Sequence, residues 1–235
     1  MDTIIQILAR ELGRSEAHVE NVVRLIDEGN TIPFIARYRK ELHGAMDDTA
    51  LRTLADRLQY LRNLDKRREE VKSAIEGQGK LTEELSAAID AAATLAEVED
   101  LYRPYKQKRR TRATVAREKG LEPLAELLFA QAADGPAPEE AAGAFIDPEK
   151  GVATAEDALQ GASDIIAERI SDDADIRKRL RELVWKKGSL VSAAAAKEPE
   201  DTVYRLYYAF RSPLNRVQGH QVLAINRGER EGVLK

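Results

Sequence analysis

Positive charge is concentrated in one short segment of this chain, and such a concentration can bind a polyanion. The segment is residues 97–112, where an acidic stretch is followed by two tyrosines, a proline and a run of basic residues. Between residues 102 and 119 the only acid is Glu118, although the 235-residue chain has a net charge of −4. The side chains that we expect to contact phosphate groups are Lys106, Lys108, Arg109, Arg110 and Arg112.

A second segment, residues 31–41, has the same character. Pro33 is favourable at the first position of a helix. Phe34 and Ile35 supply an apolar patch, after which a basic cluster surrounds Tyr38. The phosphate contacts that we expect from this segment are Arg37, Arg39 and Lys40.

The same residues also allow a structural interpretation. The tyrosines would then pack into the protein, and the cations would pair with acids such as Glu97, Glu99 and Asp100 on a solvated face. We expect the two segments to meet, with the rings of Tyr38 and Tyr102 packed and buried and the guanidinium groups paired to acids such as Glu99. The sequence leaves both interpretations open, because it does not show which side chains are exposed.

Together the two segments resemble the N-terminal region of the Tex family of bacterial transcription accessory proteins. The resemblance continues through residues 113–125 and returns near the C-terminus in His220 and in residues 223–225, 227–229 and 231–234. It therefore spans nearly the whole chain, and it is weakest between residues 130 and 144.

The resemblance implies a larger protein. Members of the family are longer and carry an RNase H-like domain, helix-hairpin-helix elements and a C-terminal OB-fold RNA-binding domain after this region. By this resemblance the chain would be an N-terminal part of such a protein. Its implied partners are nucleic acid, the downstream domains and the transcription machinery.

The composition is that of a soluble, helix-rich protein. A third of the residues are charged and 43% are hydrophobic, which is too apolar for a disordered chain. Cysteine is absent, so disulfides and thiolate metal sites are excluded. No basic leader precedes an apolar core and no apolar run approaches the ~18 residues of a membrane span, so we expect a cytoplasmic protein without membrane contact.

Residues for catalysis are sparse. The histidines His18, His43 and His220 lie far apart in sequence and none forms a pair with the helical spacing of a zinc site. No glycine-rich loop that could cradle a phosphate is present. The acid pairs at 47–48 and 172–173 lie at expected helix starts, where they stabilise the helix dipole. We therefore expect no catalytic residue, no metal, no cofactor and no enzymatic activity.

A succession of helical apolar patterns, each preceded by a capping residue, predicts a mainly α fold. We expect it to be multi-helical with a long antiparallel helical hairpin, and to have a small β element at the C-terminal end. The hairpin begins at Asp48 with a long helix that packs against the segment after Thr82. Two short helices in residues 1–30 resemble a helix-turn-helix, but the second of them carries only Arg24 as a cation against four acids, which disfavours DNA reading.

Proline and glycine in residues 134–138 mark the clearest internal break. The helix that ends at Lys187 is expected to turn Leu180, Leu183 and Val184 inward. Strands are expected at 189–192 and 222–225, with a turn at 226–232, and residues 204–210 fit either a helix or a strand, with Asp201 as a cap favouring the helix. The predicted domains are 1–30, 31–133, 139–188 and 189–235.

These observations favour a non-catalytic scaffold that contributes weak, sequence-independent binding of RNA or DNA to a Tex-like transcription accessory protein. The alternative is a protein-interaction module that docks neighbouring domains or the transcription machinery, since tyrosine and arginine are common at such interfaces. Phosphate contacts supply affinity without sequence information, so we expect micromolar or weaker binding that falls steeply with salt.

Overall fold

The computed structural model describes residues 3–133, 135–196 and 201–235. It confirms the mainly α fold, with twelve α-helices and a two-stranded antiparallel sheet in the described part of the chain. The chain divides into two compact units, Met1–Gln107 and Lys108–Lys235. The border lies inside the predicted segment 31–133, and the predicted domain boundaries stay predictions.

Unit 1 consists of helices. They are α1 (Ile4–Leu12), α2 (Glu16–Asp27), α3 (Ile32–Tyr38), α4 (Asp48–Glu76), α5 (Glu83–Ala91) and α6 (Leu95–Tyr102). Most begin at the caps that the sequence indicated: the Thr3 hydroxyl accepts a hydrogen bond from the Gln6 backbone N–H, and the Gln6 side chain accepts one from Thr3. Gly13 ends α1 in the left-handed conformation, with φ of 60°.

The long helix α4 has the predicted start at Asp48. The Asp47 carboxylate accepts a hydrogen bond from the Ala50 backbone N–H at 2.7 Å and caps the helix. One apolar stripe runs along its length and is buried at Leu51, Leu54, Leu58, Leu61, Leu64, Val71 and Ile75. The first half of this stripe packs against α1, α2 and α3, and the second half packs against α5 and α6.

The chain runs back along α4 through α5 and then reverses again in α6. Lys72 pairs with Asp90 at 2.9 Å, and the Tyr60 hydroxyl accepts a hydrogen bond from the Leu95 N–H at 3.1 Å, so α5 runs antiparallel to α4. Helix α6 then reverses this direction, because Arg67 and Glu99 make a 2.7 Å ion pair further along α4. The predicted hairpin is confirmed, with α5 as its antiparallel return arm, whereas α6 runs parallel to α4.

Unit 2 is built around one helix. Its helices are α7 (Arg112–Glu118), α8 (Glu122–Ala130), α9 (Pro138–Gly143), α10 (Ala155–Asp172), α11 (Ala174–Lys187) and α12 (Gly219–Arg230). Helices α7, α8 and α9 pack on α10 through a core rich in alanine. A Cβ atom at Gly161 would lie 2.3 Å from the Leu121 Cδ1 atom, so the glycine allows α10 to pack directly against the Leu121 side chain. Asp134, the first residue of the predicted break, lies outside the described residues.

The C-terminal part of unit 2 contains the small sheet. Strand β1 (Ser189–Ala193) pairs antiparallel with β2 (Ala209–Pro213), in the register Ser189 to Pro213 and Ala193 to Ala209. The prediction of a strand at 189–192 is therefore confirmed. A small core of Tyr204, Ile225 and Leu234 lies beside the sheet.

The predicted strand at 222–225 is wrong, because these residues belong to α12. A reciprocal cap between Gln218 and Gln221 starts this helix, and its buried residues Ile225 and Gly228 are one helical turn apart. A Cβ atom at Gly228 would lie 2.6 Å from the Leu234 Cδ1 atom, so this glycine serves packing inside a helix. The predicted turn at 226–232 is correspondingly reduced to its last residues.

The helix favoured at 204–210 and the inward face expected of α11 are both wrong, although the strand alternative holds at residues 209–210. Residues 204–210 form a short 3-10 turn, Arg205–Tyr207, followed by the start of β2, and the Asp201 carboxylate accepts from the Arg205 guanidinium instead of capping a helix. Helix α11 contains no buried residue, and Leu180, Leu183 and Val184 are about half exposed. None of the helices in the described residues is both long and apolar enough to cross a membrane.

Candidate nucleic-acid interface

Helix α3 positions the first group of candidate cations. Ile35 is fully buried and anchors the helix against α4 and α2. Pro33 lies in the first turn, where the missing N–H has no helical partner to lose. Because Ile35 fixes the inner face, the C-terminal end of the helix carries Arg37 and Tyr38 outward.

Aromatic rings and guanidinium groups alternate at this end of α3. The rings of Phe34 and Tyr38 are one helical turn apart, with centroids 5.2 Å apart and planes inclined at 47°. The Arg37 guanidinium carbon lies 5.9 Å from the centroid of Tyr38, and that of Arg39 lies 5.1 Å from the centroid of Phe34. We call Phe34, Arg37, Tyr38, Arg39 and Lys40 the α3 cluster.

The three cations of the α3 cluster pair with no carboxylate among the described residues. Arg37 and Lys40 are exposed, and Arg39 is half-buried. The Arg39 guanidinium donates one hydrogen bond, to the Tyr38 carbonyl oxygen at 3.0 Å. Their charge is therefore available to an anion from outside the protein.

The loop after the α3 cluster is held in place by buried side chains. His43 and Met46 are almost fully buried, and the Asn21 amide donates a hydrogen bond to the Leu42 carbonyl at 3.2 Å. Gly44 has φ of 60°, and a Cβ atom there would lie 2.3 Å from the His18 ring. The cations at the end of α3 thus stand on a well-anchored turn.

Lys106, also in unit 1, has a different environment. Its ammonium group pairs with Glu99 at 2.9 Å and lies 5.7 Å from the Tyr102 ring centroid. Burial raises the pKa of Glu99, but hydrogen bonds from Arg67 and Lys106 outweigh it and lower the pKa overall. Lys106 thus belongs to a structural network, as the second interpretation of the sequence proposed.

The candidates in unit 2 are mostly paired as well. Lys108 pairs with Asp172 and lies 3.5 Å from Glu168, Arg110 pairs with Glu118 at 2.6 Å, and Arg112 lies 3.6 Å from Asp164. The Arg112 side chain is nevertheless 86% exposed. Arg109 is exposed and takes part in none of the ion pairs of the described residues.

Glu168 is the centre of the network in unit 2. It accepts hydrogen bonds from the Arg117 guanidinium at 2.6 Å and from the Thr111 hydroxyl at 3.0 Å. Burial raises its pKa, but these two hydrogen bonds and the charge of Lys108 outweigh that effect, so the pKa is lowered overall. Helix α7 is therefore joined to α10 at both ends, by the hydrogen bond of its cap Thr111 and by the ion pair of Arg117.

The prediction that the two tyrosine segments meet is wrong for Tyr38. Its ring is 55% exposed and packs against Phe34 within its own helix. Tyr102 instead joins the core between α4 and α6, with the Arg67 guanidinium carbon 5.5 Å from its centroid.

Sequence reasoning missed the basic surface of α11. Two acids and six cations lie on this helix, the cations being Arg177, Lys178, Arg179, Arg181, Lys186 and Lys187. Trp185, 59% exposed, and the half-exposed leucines accompany them. The excess of cations over acids in the sequence of α11 could have indicated this surface. The leucines at helical spacing suggested a buried helix instead.

No group of three or more histidine or acidic side chains in residues 3–133, 135–196 and 201–235 is arranged to hold a metal ion. The candidate groups that the described side chains present are exposed cations and the exposed ring of Tyr38.

Comparison with known proteins places this chain in a family. Residues 2–76 match the Tex-like protein N-terminal domain, and residues 134–235 match the Tex central region-like domain. The chain belongs to the Tex family. The α3 cluster lies within the first of the two matched regions.

Two bacterial Tex proteins illustrate the similarity. The chain is 47% identical to Protein tex of Bordetella pertussis over 233 residues, which is 99% of this chain and 29% of that protein. It is 42% identical to the transcriptional accessory protein Tex of Neisseria gonorrhoeae over 232 residues, 98% of this chain and 30% of that protein. The chain therefore spans less than a third of the length of these relatives.

A more distant relative is human. The S1 RNA-binding domain-containing protein 1 of Homo sapiens is 32% identical over 240 residues, which cover 98% of this chain and 24% of the human protein. The similarity thus extends beyond bacteria.

Proposed function

We propose that this chain contributes sequence-independent binding of RNA or DNA to a Tex-like transcription accessory protein in the cytoplasm, without catalysing a reaction. The observation that carries the proposal is the α3 cluster, in which three cations lie beside exposed aromatic surface and lack carboxylate partners in the described residues. Names of relatives that refer to transcription and to RNA binding support the same setting.

We expect phosphates to bind the α3 cluster more strongly than the basic run at 106–112, and the reason is electrostatic. A phosphate that approaches Lys106, Lys108 or Arg110 must compete with a carboxylate already within ion-pair distance. At Arg37, Arg39 and Lys40 no such competition exists within the described residues. Arg109 and the highly exposed Arg112 are secondary contacts in this proposal.

The test is a fluorescence-anisotropy titration of labelled RNA and DNA oligonucleotides across a salt series. The variant Arg37→Ala/Arg39→Ala/Lys40→Ala should weaken binding to every sequence and should reduce the slope of log K against log salt by roughly two to three, about one for each phosphate contact. We expect the parent to bind with micromolar or weaker affinity.

Two comparison variants sharpen this test. Lys108→Ala/Arg109→Ala/Arg110→Ala should change the slope by roughly one or less, since only Arg109 lacks a carboxylate. Lys66→Ala, at an exposed cation that pairs with Glu70 at 3.9 Å, should leave binding unchanged. Unchanged affinity and slope in the α3 triple variant would reject the proposal.

Helix α11 favours a second function, the docking of a protein partner. Its exposed leucines, Trp185 and the exposed cations Arg179, Lys186 and Lys187 fit an acidic amphipathic segment, because such a segment offers both carboxylates and apolar side chains. This version of the protein-interaction hypothesis uses a surface different from the tyrosine segments that the sequence suggested.

Trp185 is the single tryptophan of the chain and reports on this surface. Titration with a synthetic acidic amphipathic peptide should shift its fluorescence to shorter wavelength as the indole becomes buried. The variant Leu180→Glu/Leu183→Glu should abolish the shift. No shift in the parent, or an equal shift with an oligonucleotide of the same charge, would count against docking of such a segment.

A further inference from the structure

The α3 cluster contains more than phosphate binding needs. Cations alone would suffice for contact with a nucleic-acid backbone, yet Tyr38 stands among them with 55% of its surface exposed. An exposed aromatic ring has no role in a purely electrostatic contact. The ring is therefore the feature of this site that the proposed function does not yet explain.

We propose that Tyr38 is a stacking platform for an unpaired base and that the α3 cluster consequently prefers single-stranded to double-stranded nucleic acid. This inference rests on the proposed function, and it adds the form of the ligand. RNA and DNA share the chemistry concerned, since every base has an aromatic face.

A ring contact and an anchored helix hold the Tyr38 ring in place before any ligand arrives. The Phe34 ring packs against it at a centroid distance of 5.2 Å, and Ile35, fully buried, fixes the helix that carries both rings. A side chain that is already ordered loses less conformational entropy when a base stacks on it. The ring can therefore act as a rigid surface.

The surrounding charges can position the strand on this ring. Arg37 lies 5.9 Å from the Tyr38 ring centroid and can also extend a contact to a phosphate. Lys40 lies two residues after Tyr38 in the sequence and is exposed. Backbone phosphates and a stacked base can thus be bound within one site, the combination by which proteins bind single strands.

A duplex cannot use the ring in the same way. Its bases are already stacked on one another, so only its phosphates are open to the cations of the α3 cluster. The predicted preference for single strands therefore depends on Tyr38, whereas the salt dependence depends on Arg37, Arg39 and Lys40. These two dependences can be separated by mutation.

The experiment measures the affinities of the full chain for a single-stranded 12-mer of RNA, the same sequence as DNA, and the corresponding DNA duplex. Tyr38→Ala should weaken single-strand binding roughly 5- to 150-fold, which corresponds to the ~1 to 3 kcal/mol of one base stack. Duplex affinity and the salt slope should stay the same, since no charge is removed. Tyr38→Phe should retain single-strand binding.

A fluorescent base gives a direct readout. We expect 2-aminopurine in the single strand to change its fluorescence on binding to the parent and to Tyr38→Phe, but not on binding to Tyr38→Ala. Thermal unfolding of the three proteins should be similar because the ring is largely exposed.

Each outcome has a separate meaning. Equal loss of single-strand and duplex affinity in Tyr38→Ala, or no loss, would overturn the stacking inference and leave the electrostatic proposal intact. If Arg37→Ala/Arg39→Ala/Lys40→Ala failed to weaken either ligand, the proposed function itself would be rejected.

Discussion

A cation that already has a carboxylate partner contributes less to binding a phosphate, because the phosphate must displace that partner. Lys106 and Lys108 have such a partner, whereas Arg37 and Lys40 have none among the described residues. In the sequence all four are basic residues close to tyrosines, and nothing local distinguishes them. The number of cations in a segment is therefore a poor measure of its affinity for nucleic acid. What counts is the charge left after pairing.

Glu168→Gln should destabilise unit 2 by ~1 to 3 kcal/mol at neutral pH, because Arg117 and Lys108 lose their charged partner, whose own side chain is only 16% exposed. The folded-state pKa of Glu168 is lowered, so its contribution is fully present above the ordinary glutamate pKa of about 4.3 and is lost as pH falls through the folded value. Urea unfolding of parent and variant at pH 7 and below pH 4 measures this effect.

Glu122→Gln is the matched control, since Glu122 pairs with the same Arg117 at 3.3 Å but its side chain is 57% exposed. It should cost less than ~1 kcal/mol. A difference between parent and Glu168→Gln that stayed constant with pH would show that the loss arises from packing and not from charge.

At this scale the sequence predicted which residues are basic and could not predict their partners. Glu99 was named as a partner for the tyrosine segment and does bind Lys106. Glu168 and Asp172 lie about sixty residues after Lys108, and no local pattern connects them. Pairing across such a separation is decided by the packing of α10, which the sequence reveals only as a helix.

Helices with a cap and an apolar stripe were the most predictable elements. Asp47 and the leucine spacing of α4 located a 29-residue helix. The errors occurred where the stripe was misleading: α11 has leucines at helical spacing that stay exposed, and α12 has four consecutive apolar residues that suggested a strand. Local periodicity identifies an apolar face but does not show that another element covers it.

The loop between α3 and α4 should be sensitive to an added methyl group at Gly44. Its φ of 60° disfavours any L-residue, and a Cβ atom would also meet the His18 ring at 2.3 Å. Gly44→Ala should therefore cost about 1 to 2 kcal/mol for the backbone and about 1 to 3 kcal/mol more for the crowding. Chemical denaturation measures the sum.

Gly79→Ala separates the two contributions. Gly79 also has a positive φ, of 67°, but no atom lies within 4 Å of the position of its Cβ atom. It should show the backbone cost alone. Equal losses of stability in the two variants would mean that His18 moves aside freely, and the loop that carries the α3 cluster would then be less firmly anchored than its contacts indicate.

At the scale of the whole molecule, each buried hydrophobic cluster of the described residues lies entirely within one of the two units. The clusters along α4 lie in Met1–Gln107, and those around α10 and beside the sheet lie in Lys108–Lys235. A compact unit with its own core has the main requirement for cooperative folding. The alanine-rich core around α10 was not evident from the sequence, where alanine indicates little beyond helix propensity.

Limited trypsin digestion should therefore cut the chain early at residues 108–110. Residues 107–110 are exposed and outside regular secondary structure, and Arg109 offers a cation without an ion-pair partner among the described residues. Proteases need several residues of extended chain, which helices supply only after local unfolding. Mass spectrometry should detect two stable products that meet at this point, and Lys108→Gln/Arg109→Gln/Arg110→Gln should delay their appearance.

Purified products of this digestion should each show a cooperative thermal transition by circular dichroism, because each retains its own buried clusters. The N-terminal product should also keep the binding lost in the Arg37→Ala/Arg39→Ala/Lys40→Ala variant, since the whole α3 cluster lies in it. A product that unfolds without a transition would show that its core depends on the rest of the chain. If the N-terminal product folded but bound no oligonucleotide, the α3 cluster would not be sufficient as a site.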